Sequence, residues 1–316
     1  MLRKKNYTNN VKNLCLSLLS CMTIEDVSRY TGLHWHTIKQ MDKEYLKRRY
    51  KKMDFRRVKY IAIDEFAVSK GHQYMTVVMD LETKRALYVK KGKDGASLRE
   101  FWKEIKKQKV KLKAVAIDMS PAYIKSVTDH IGYDKIVFDW FHIKKKINFE
   151  IDELRREMCN EEEKLGIRQV MKGSRWLLLK NSENLKTEKD EKQKLEKVLQ
   201  MNKPLATMYY MKEELTTMWW LGGKVKSETY LQSWVLRAIN SGIKQLIKVG
   251  NMIGSFRTAI LRWFDFDISL STGPLEGFNN KIKVLKRKAY GYRDIDYFGL
   301  KIFDLHNYRL KYALLR

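Results

Sequence analysis

The sequence predicts an α/β protein: a mixed five-stranded sheet, a large all-helical insertion, and a short helical segment in front. Three observations carry this reading. Near residue 58 the hydrophobic period changes from a basic helical pattern to short apolar runs of strand type. Five such runs follow in the order three strands, helix, strand, helix, strand. From about 141 to 270 the chain then shows only helical patterns rich in Lys, Glu, Leu, Met and Trp. The expected segments are residues 1–50, 51–140, 141–270 and 271–316, the last returning to complete the core.

The opening segment reads as a helix-turn-helix. Residues 9–20 carry one apolar face through Val11, Leu14, Cys15, Leu18 and Leu19. Thr23 with Asp26 three residues later has the spacing of a capping box, and Gly32 stands where the turn needs positive φ. Ile24, Val27, Leu33 and Ile38 form the expected small core. His34, Trp35, His36 and Lys39 then face outward at the start of a recognition helix, with His34, His36 and Lys39 as DNA contacts. A basic run, from Lys43 to Lys59, follows and points to phosphate contacts. A plain helical hairpin packed on the rest of the protein is the structural alternative.

The strands are read at Val58–Val68, Gln73–Leu81, Ala86–Val89, Ala114–Asp118 and Lys135–Asp139. Polar turns, Ser-Lys-Gly-His and Glu-Thr-Lys-Arg, join the first three into an antiparallel meander. A helix is expected near 96–107, and Pro121 opens another. This strand–helix order is that of the ribonuclease H-like fold. The charged stretch 183–200 is expected as an exposed helix or helix–loop.

Composition narrows the partners. The 316 residues include 64 Lys and Arg against 37 Asp and Glu, a net charge of +27, which calls for a polyanion such as nucleic acid. No apolar run of about 18 residues is present, so no membrane partner is expected, and the start has no signal-type core. The expected location is the cytoplasm. Three cysteines, Cys15, Cys21 and Cys159, have no paired spacing, which argues against a disulfide framework or a structural zinc site. Cys15 and Cys21 are read as core residues.

Three carboxylates carry the expected chemistry. Asp64 interrupts the first apolar strand, and Asp118 ends the fourth. In this fold those strands are neighbours, so the two carboxylates meet at one end of the sheet. Hard divalent cations resolve that repulsion. Two magnesium or manganese ions, about 3.5–4 Å apart, can activate water and stabilise a leaving oxygen in phosphodiester cleavage. The third ligand is read as Glu276, just after a Gly273-Pro274 turn, on a helix returning to the sheet. The alternatives are helix capping for Asp118 and dipole complementation for Glu276. Asn279 and Asn280 share the Glu276 face and can orient it or touch DNA. Asp139 and His142 form a supporting pair at a strand-to-helix junction, and Glu65 points to the opposite face. Lys281, Lys283, Lys286, Arg287, Lys288 and Arg293 make a basic stripe interleaved with Tyr290 and Tyr292, as on strand-binding surfaces.

Four blocks resemble the ISL-three family of insertion-sequence transposases. They are Tyr60-Ile-Ala-Ile-Asp-Glu-Phe-Ala-Val-Ser-Lys-Gly-His, Ala116-Ile-Asp-Met-Ser-Pro-Ala-Tyr, Val137-Phe-Asp-Trp-Phe-His and Gly273-Pro-Leu-Glu-Gly-Phe-Asn-Asn-Lys-Ile-Lys. Lys288-Ala-Tyr-Gly-Tyr-Arg is similar as well, and the likeness runs from about residue 20 to 310. The resemblance implies a DDE catalytic domain with its triad on Asp64, Asp118 and Glu276, acting on terminal inverted repeat DNA and on target DNA. It also implies a bacterial, nucleoid-associated protein that works as a homo-oligomer on DNA. Two departures stand out. The family's cysteine-rich zinc-binding opening is not found, and Trp140 stands where the family usually carries Arg. Two other functions stay open: a non-catalytic DNA-binding truncated transposase acting as a repressor, and a structure-specific nuclease of the same fold.

Overall fold

The computed structural model describes residues 7–69, 73–162, 165–266 and 273–305. Lys70–His72 of the first predicted turn, Ser271 and Thr272 of the block before Glu276, and the end of the last predicted segment from His306 onward lie outside them. The chain forms two compact units, Met1–Gly132 with Thr272–Arg316, and Tyr133–Ser271.

The sheet has the strand order β3-β2-β1-β4-β5. Its strands are β1 (Tyr60–Ser69), β2 (Gln73–Asp80), β3 (Ala86–Lys91), β4 (Ala114–Ile117) and β5 (Ile136–Phe138). β1 pairs antiparallel with β2, β2 antiparallel with β3, and β1 parallel with β4. That combination is the ribonuclease H-like arrangement. The central position of β1 and β4 explains their sequence, because strands covered on both faces read as continuous apolar runs. Ile61, Ala62, Ile63 and all four residues of β4 are buried.

In the first unit, α4 (Arg99–Lys107) and α5 (Pro121–Ile131) pack together, with the Trp102 indole donating to Ser126 Oγ at 2.9 Å. Tyr123 of α5 meets Thr76 of β2, oxygen to oxygen at 3.0 Å, so α5 covers the Glu65 face of the sheet. The opposite face is covered by α13 (Gly273–Lys288) and α14 (Ile295–Asp304), with Phe66 edge-on to Phe298. Gly273 and Pro274 therefore begin a helix, where a turn was expected. α14 lies against the sheet at Gly299, where a Cβ would make ordinary contacts with Met75 at 3.7 Å and Val89 at 4.0 Å.

The opening segment folds as α1 (Asn9–Leu18), α2 (Ile24–Thr31) and α3 (Trp35–Arg49). The Thr23–Asp26 capping box is present, and Gly32 caps α2 at φ 71°. Cys15, Leu19, Val27, Ile38 and Met41 form a buried cluster, with Ile24 and Leu33 packed against it. Each such aliphatic side chain contributes about 1.5–3 kcal/mol when fully buried. Cys21 departs from the expectation: it lies past the end of α1 and is exposed.

α3 is fastened to α14 by buried polar contacts. Asp42, fully buried, accepts from Tyr297 Oη at 2.6 Å and from Lys301 Nζ at 3.1 Å. Asp294, the N-cap of α14, binds Lys43 at 2.6 Å and Lys39 at 3.2 Å. Tyr50 donates to Asp304 at 2.9 Å.

In the second unit every regular element described from Trp140 to Asp265 is helical. α6 (Trp140–Glu161) is followed by α7 (Leu165–Gly173), α8 (Arg175–Leu179), α9 (Glu191–Met201), α10 (Lys203–Thr217), α11 (Lys224–Ile239) and α12 (Lys244–Leu261). The stretch 183–200 divides into two short 3₁₀ turns before α9, with Asp190 at φ 50° marking the break. α11 and α12 pair closely at Gly250, where a Cβ would stand 2.9 Å from that of Ala238. Asp152 on α6 gathers Arg155, Arg156 and Arg175 within 3.3 Å.

Candidate active site

The site is built where β4 ends beside the middle of the parallel strand β1. Ala62 of β1 is in register with Ala116 of β4, and Asp64 and Asp118 each lie two residues further on. Strand periodicity returns a side chain to the same face every second residue, so both carboxylates project from one face at one level. Asp118 follows β4 at its end, where its Oδ1 accepts the Ser120 amide at 3.0 Å. Ser120 is the N-cap of α5 and that cap makes no side-chain hydrogen bond, so Asp118 orders the turn ahead of the helix and does not cap its first-turn amides.

Burial pushes the Asp64 carboxyl up to about 7. The charges of Glu65 and Asp118 add to that rise, while hydrogen bonds from the Glu65 backbone and the Asn279 side chain oppose it. Burial, more than the Asp118 charge, therefore sets the Asp64 carboxyl apart.

α13 supplies the third element. Asn279, 7% exposed, donates from Nδ2 to Asp64 Oδ2 at 2.8 Å. Among the described residues its Oδ1 is buried without a hydrogen-bond partner. Glu276, one turn earlier on the helix, is exposed. Among the described residues no group of three His, Cys, Asp or Glu side chains lies ready to hold a metal. The structure therefore sets Asp64 and Asp118 just past the last β1–β4 pair and presents Asn279 to Asp64, with Glu276 outside that cluster. Helical spacing puts residues three apart on one face, but does not say which of them reaches the strand. Asn280 is exposed and accepts from Lys283 at 3.2 Å.

The transposase pattern DDE_Tnp_ISL3 matches residues 61–302, spanning all three carboxylates. The transposase of insertion sequence element IS1001 from Bordetella parapertussis is 35% identical over 303 residues, 95% of this chain and 74% of that protein. The chain belongs to the ISL3 family of DDE transposases. It is an insertion-sequence transposase. The IS1557 transposase of Mycobacterium tuberculosis is 27% identical over 262 residues, 76% of this chain and 58% of that one. The Drosophila P element transposase strand transfer complex aligns at a TM-score of 0.47 and 11% identity, covering 96% of this chain and 93% of that one.

The other residues singled out in this transposase are spread over several elements. His34 caps α3, its Nδ1 accepting the His36 amide at 3.3 Å, and both histidines are exposed. Lys39 turns toward α14, paired with Asp294 and 5.7 Å from the Tyr297 ring centre. Lys281, Lys283, Arg287 and Arg293 are exposed, Lys286 is half-buried, and Lys288 donates to the Cys21 carbonyl. Tyr290 is fully exposed, whereas Tyr292 stacks on Phe298 at 4.5 Å, so only one of the two tyrosines is open to a strand. Asp139, buried, caps α6 by accepting the Phe141 amide at 3.3 Å, and His142 lies in that helix's first turn. Trp140 packs on Trp219, ring centres 4.2 Å apart. No described helix is long and apolar enough to cross a membrane.

Sequence reasoning missed the polar layer beneath the site. Thr76 Oγ1 meets Ser97 Oγ at 2.8 Å and Tyr123 Oη at 3.0 Å, on the face opposite Asp64. Thr76 in an otherwise apolar strand was the available signal.

Proposed function

We propose that this transposase cleaves and joins transposon-end DNA by two-metal phosphoryl transfer, with Asp64, Asp118 and Glu276 holding magnesium or manganese. One observation carries the reading. In a chain of net charge +27, no described Lys or Arg pairs with any of these three carboxylates. Asp64 keeps a half-buried carboxyl whose charge its surroundings disfavour and a cation would relieve. The orphaned Asn279 Oδ1 beside it is a further oxygen donor in want of a partner.

Bound divalent cations would supply charge stabilisation for displacement at a phosphodiester. The protein's own groups do the rest. Asn279 fixes the rotamer of Asp64, and the Ser120 amide fixes that of Asp118. Glu276, one turn before Asn279 on the same helix, would complete the set of ligands. Asp139 and His142, the expected supporting pair, stand at the start of α6 in the second unit. The basic stripe from Lys281 to Arg293 holds the DNA backbone, and His34 and His36 read the terminal inverted repeat from α3. The transposase then works in the bacterial cytoplasm, on the nucleoid, as a multimer that brings two ends to the target.

Cleavage and joining of DNA carrying the element's flanking repeats, with and without magnesium, tests the reading. Magnesium-dependent nicking followed by joining to a second DNA is the expected result. Nicking without joining would leave a structure-specific nuclease. The exposure of Glu276 favours one rival, a DNA-binding repressor without chemistry. Magnesium-independent binding with no nicking would establish that rival instead.

A further inference from the structure

The first unit contains a groove of about 1190 Å³ that the catalytic reading does not use. It runs along the outer edge of β3, between α4 and α14, with the end of α3 and the following residues 50–56 above it. Eight cationic side chains line it against four carboxylates. Three of the cations are paired: Arg56 with Asp54, Lys90 with Glu100 and Lys107 with Glu104. The other five, Lys47, Lys51, Lys52, Lys91 and Lys103, are exposed and make no ion pair among the described residues. Between them the floor is apolar, formed by side chains such as Leu87, Val89 and Leu300.

We infer that this groove is a second DNA-binding site, which tracks the phosphate backbone of duplex DNA away from the catalytic carboxylates. It rests on the reading that the protein handles DNA, and adds a surface to it. Unpaired lysines on flexible stems match phosphates spaced along a backbone and release counterions when they bind. An apolar floor offers no donors or acceptors to base edges, so the contact is independent of sequence. β3 is an edge strand, and Lys90 and Lys91 on it are the kind of charges that discourage an added polypeptide strand. The basic run that the sequence shows between Lys43 and Lys59 thereby divides. Lys43 holds Asp294 within the protein, while Lys47, Lys51 and Lys52 face the groove.

The test is the salt dependence of DNA binding by the full chain without metal, read by fluorescence anisotropy on duplex DNA. Lys51→Gln/Lys52→Gln/Lys103→Gln is compared with wild type, and with Lys192→Gln/Lys197→Gln/Lys226→Gln, which removes equal charge from exposed positions in the other unit. The groove variant is expected to bind more weakly and to lose about two to three units from the slope of log K against log salt, near 0.9 per phosphate contact. The control is expected to lose less than one unit. Equal slopes for the groove variant and wild type, or equal losses in groove and control variants, would overturn the proposal. So would weakened self-association with duplex binding intact, or weakened binding of single strands alone. Because the assay needs no cleavage, its failure is distinct from failure of the catalytic reading.

Discussion

The Asn279 amide donates to Oδ2 of Asp64 across 215 residues of sequence, at 2.8 Å. It ties α13 to β1 at the proposed site. Asn279→Ala should therefore keep the fold and lose rate. Groups that orient metal-binding carboxylates are worth about 10–100-fold in activity or metal affinity. The check is single-turnover cleavage across a magnesium titration. A rate and magnesium dependence equal to wild type would show that the contact is incidental.

A half-buried acid held near neutral pH costs the fold stability wherever it must be charged. The Asp64 carboxyl lies at about 7 in the folded chain, against about 3.9 when unfolded. The folded state thus binds the proton more tightly. Its contribution is favourable below about pH 4 and is lost as pH rises through 7. Asp64→Asn should stabilise the metal-free protein at pH 8 by about 1–3 kcal/mol and have little effect at pH 4. Chemical denaturation in EDTA at the two pH values reads this directly. Destabilisation at pH 8 would mean that the carboxylate is held by contacts other than those described.

The α3–α14 fastening predicts a different pattern. Removing one member of a buried charged pair costs about 3–5 kcal/mol, so Asp42→Ala should lower the unfolding midpoint of the first unit sharply. Asp294→Ala should cost about 0.5–2 kcal/mol through its cap. Burial works against the Asp294 charge, yet hydrogen bonds from Lys43, the Tyr297 amide and Lys39 prevail and draw it down to about 2. Its stabilisation is complete above about pH 4 and fades as pH falls through 2. Thermal melts from pH 2 to 7 should show the difference between Asp294→Ala and wild type shrinking at the acid end. A constant difference would contradict the ion pairing.

Much of this was legible in the sequence, for physical reasons. A carboxylate inside the apolar run that starts Tyr60-Ile-Ala-Ile, and another directly after Val115-Ala-Ile, stand out because strands covered on both faces are otherwise apolar. The order of the elements made those strands neighbours. The capping box at Thr23 and the positive φ at Gly32 are local and were equally plain. What depends on long-range packing was not. Asn279 rather than Glu276 meets Asp64, because helical spacing fixes a shared face and not its rotation toward the sheet. Lys39 meets Asp294, and Tyr292 lies against Phe298, because α14 packs where no local pattern announces it. Cys21 is exposed because α1 ends before reaching it.

The central claim is that Asp64, Asp118 and Glu276 share divalent ions when the transposase holds DNA. Manganese binding to the DNA-bound protein, counted by electron paramagnetic resonance, tests it most directly. Wild type should take up two ions, Asp64→Asn and Asp118→Asn should lose that binding, and Glu276→Gln should bind fewer ions than wild type and fail to cleave. Undiminished manganese uptake with full cleavage by Glu276→Gln would remove Glu276 from the site and contradict the account.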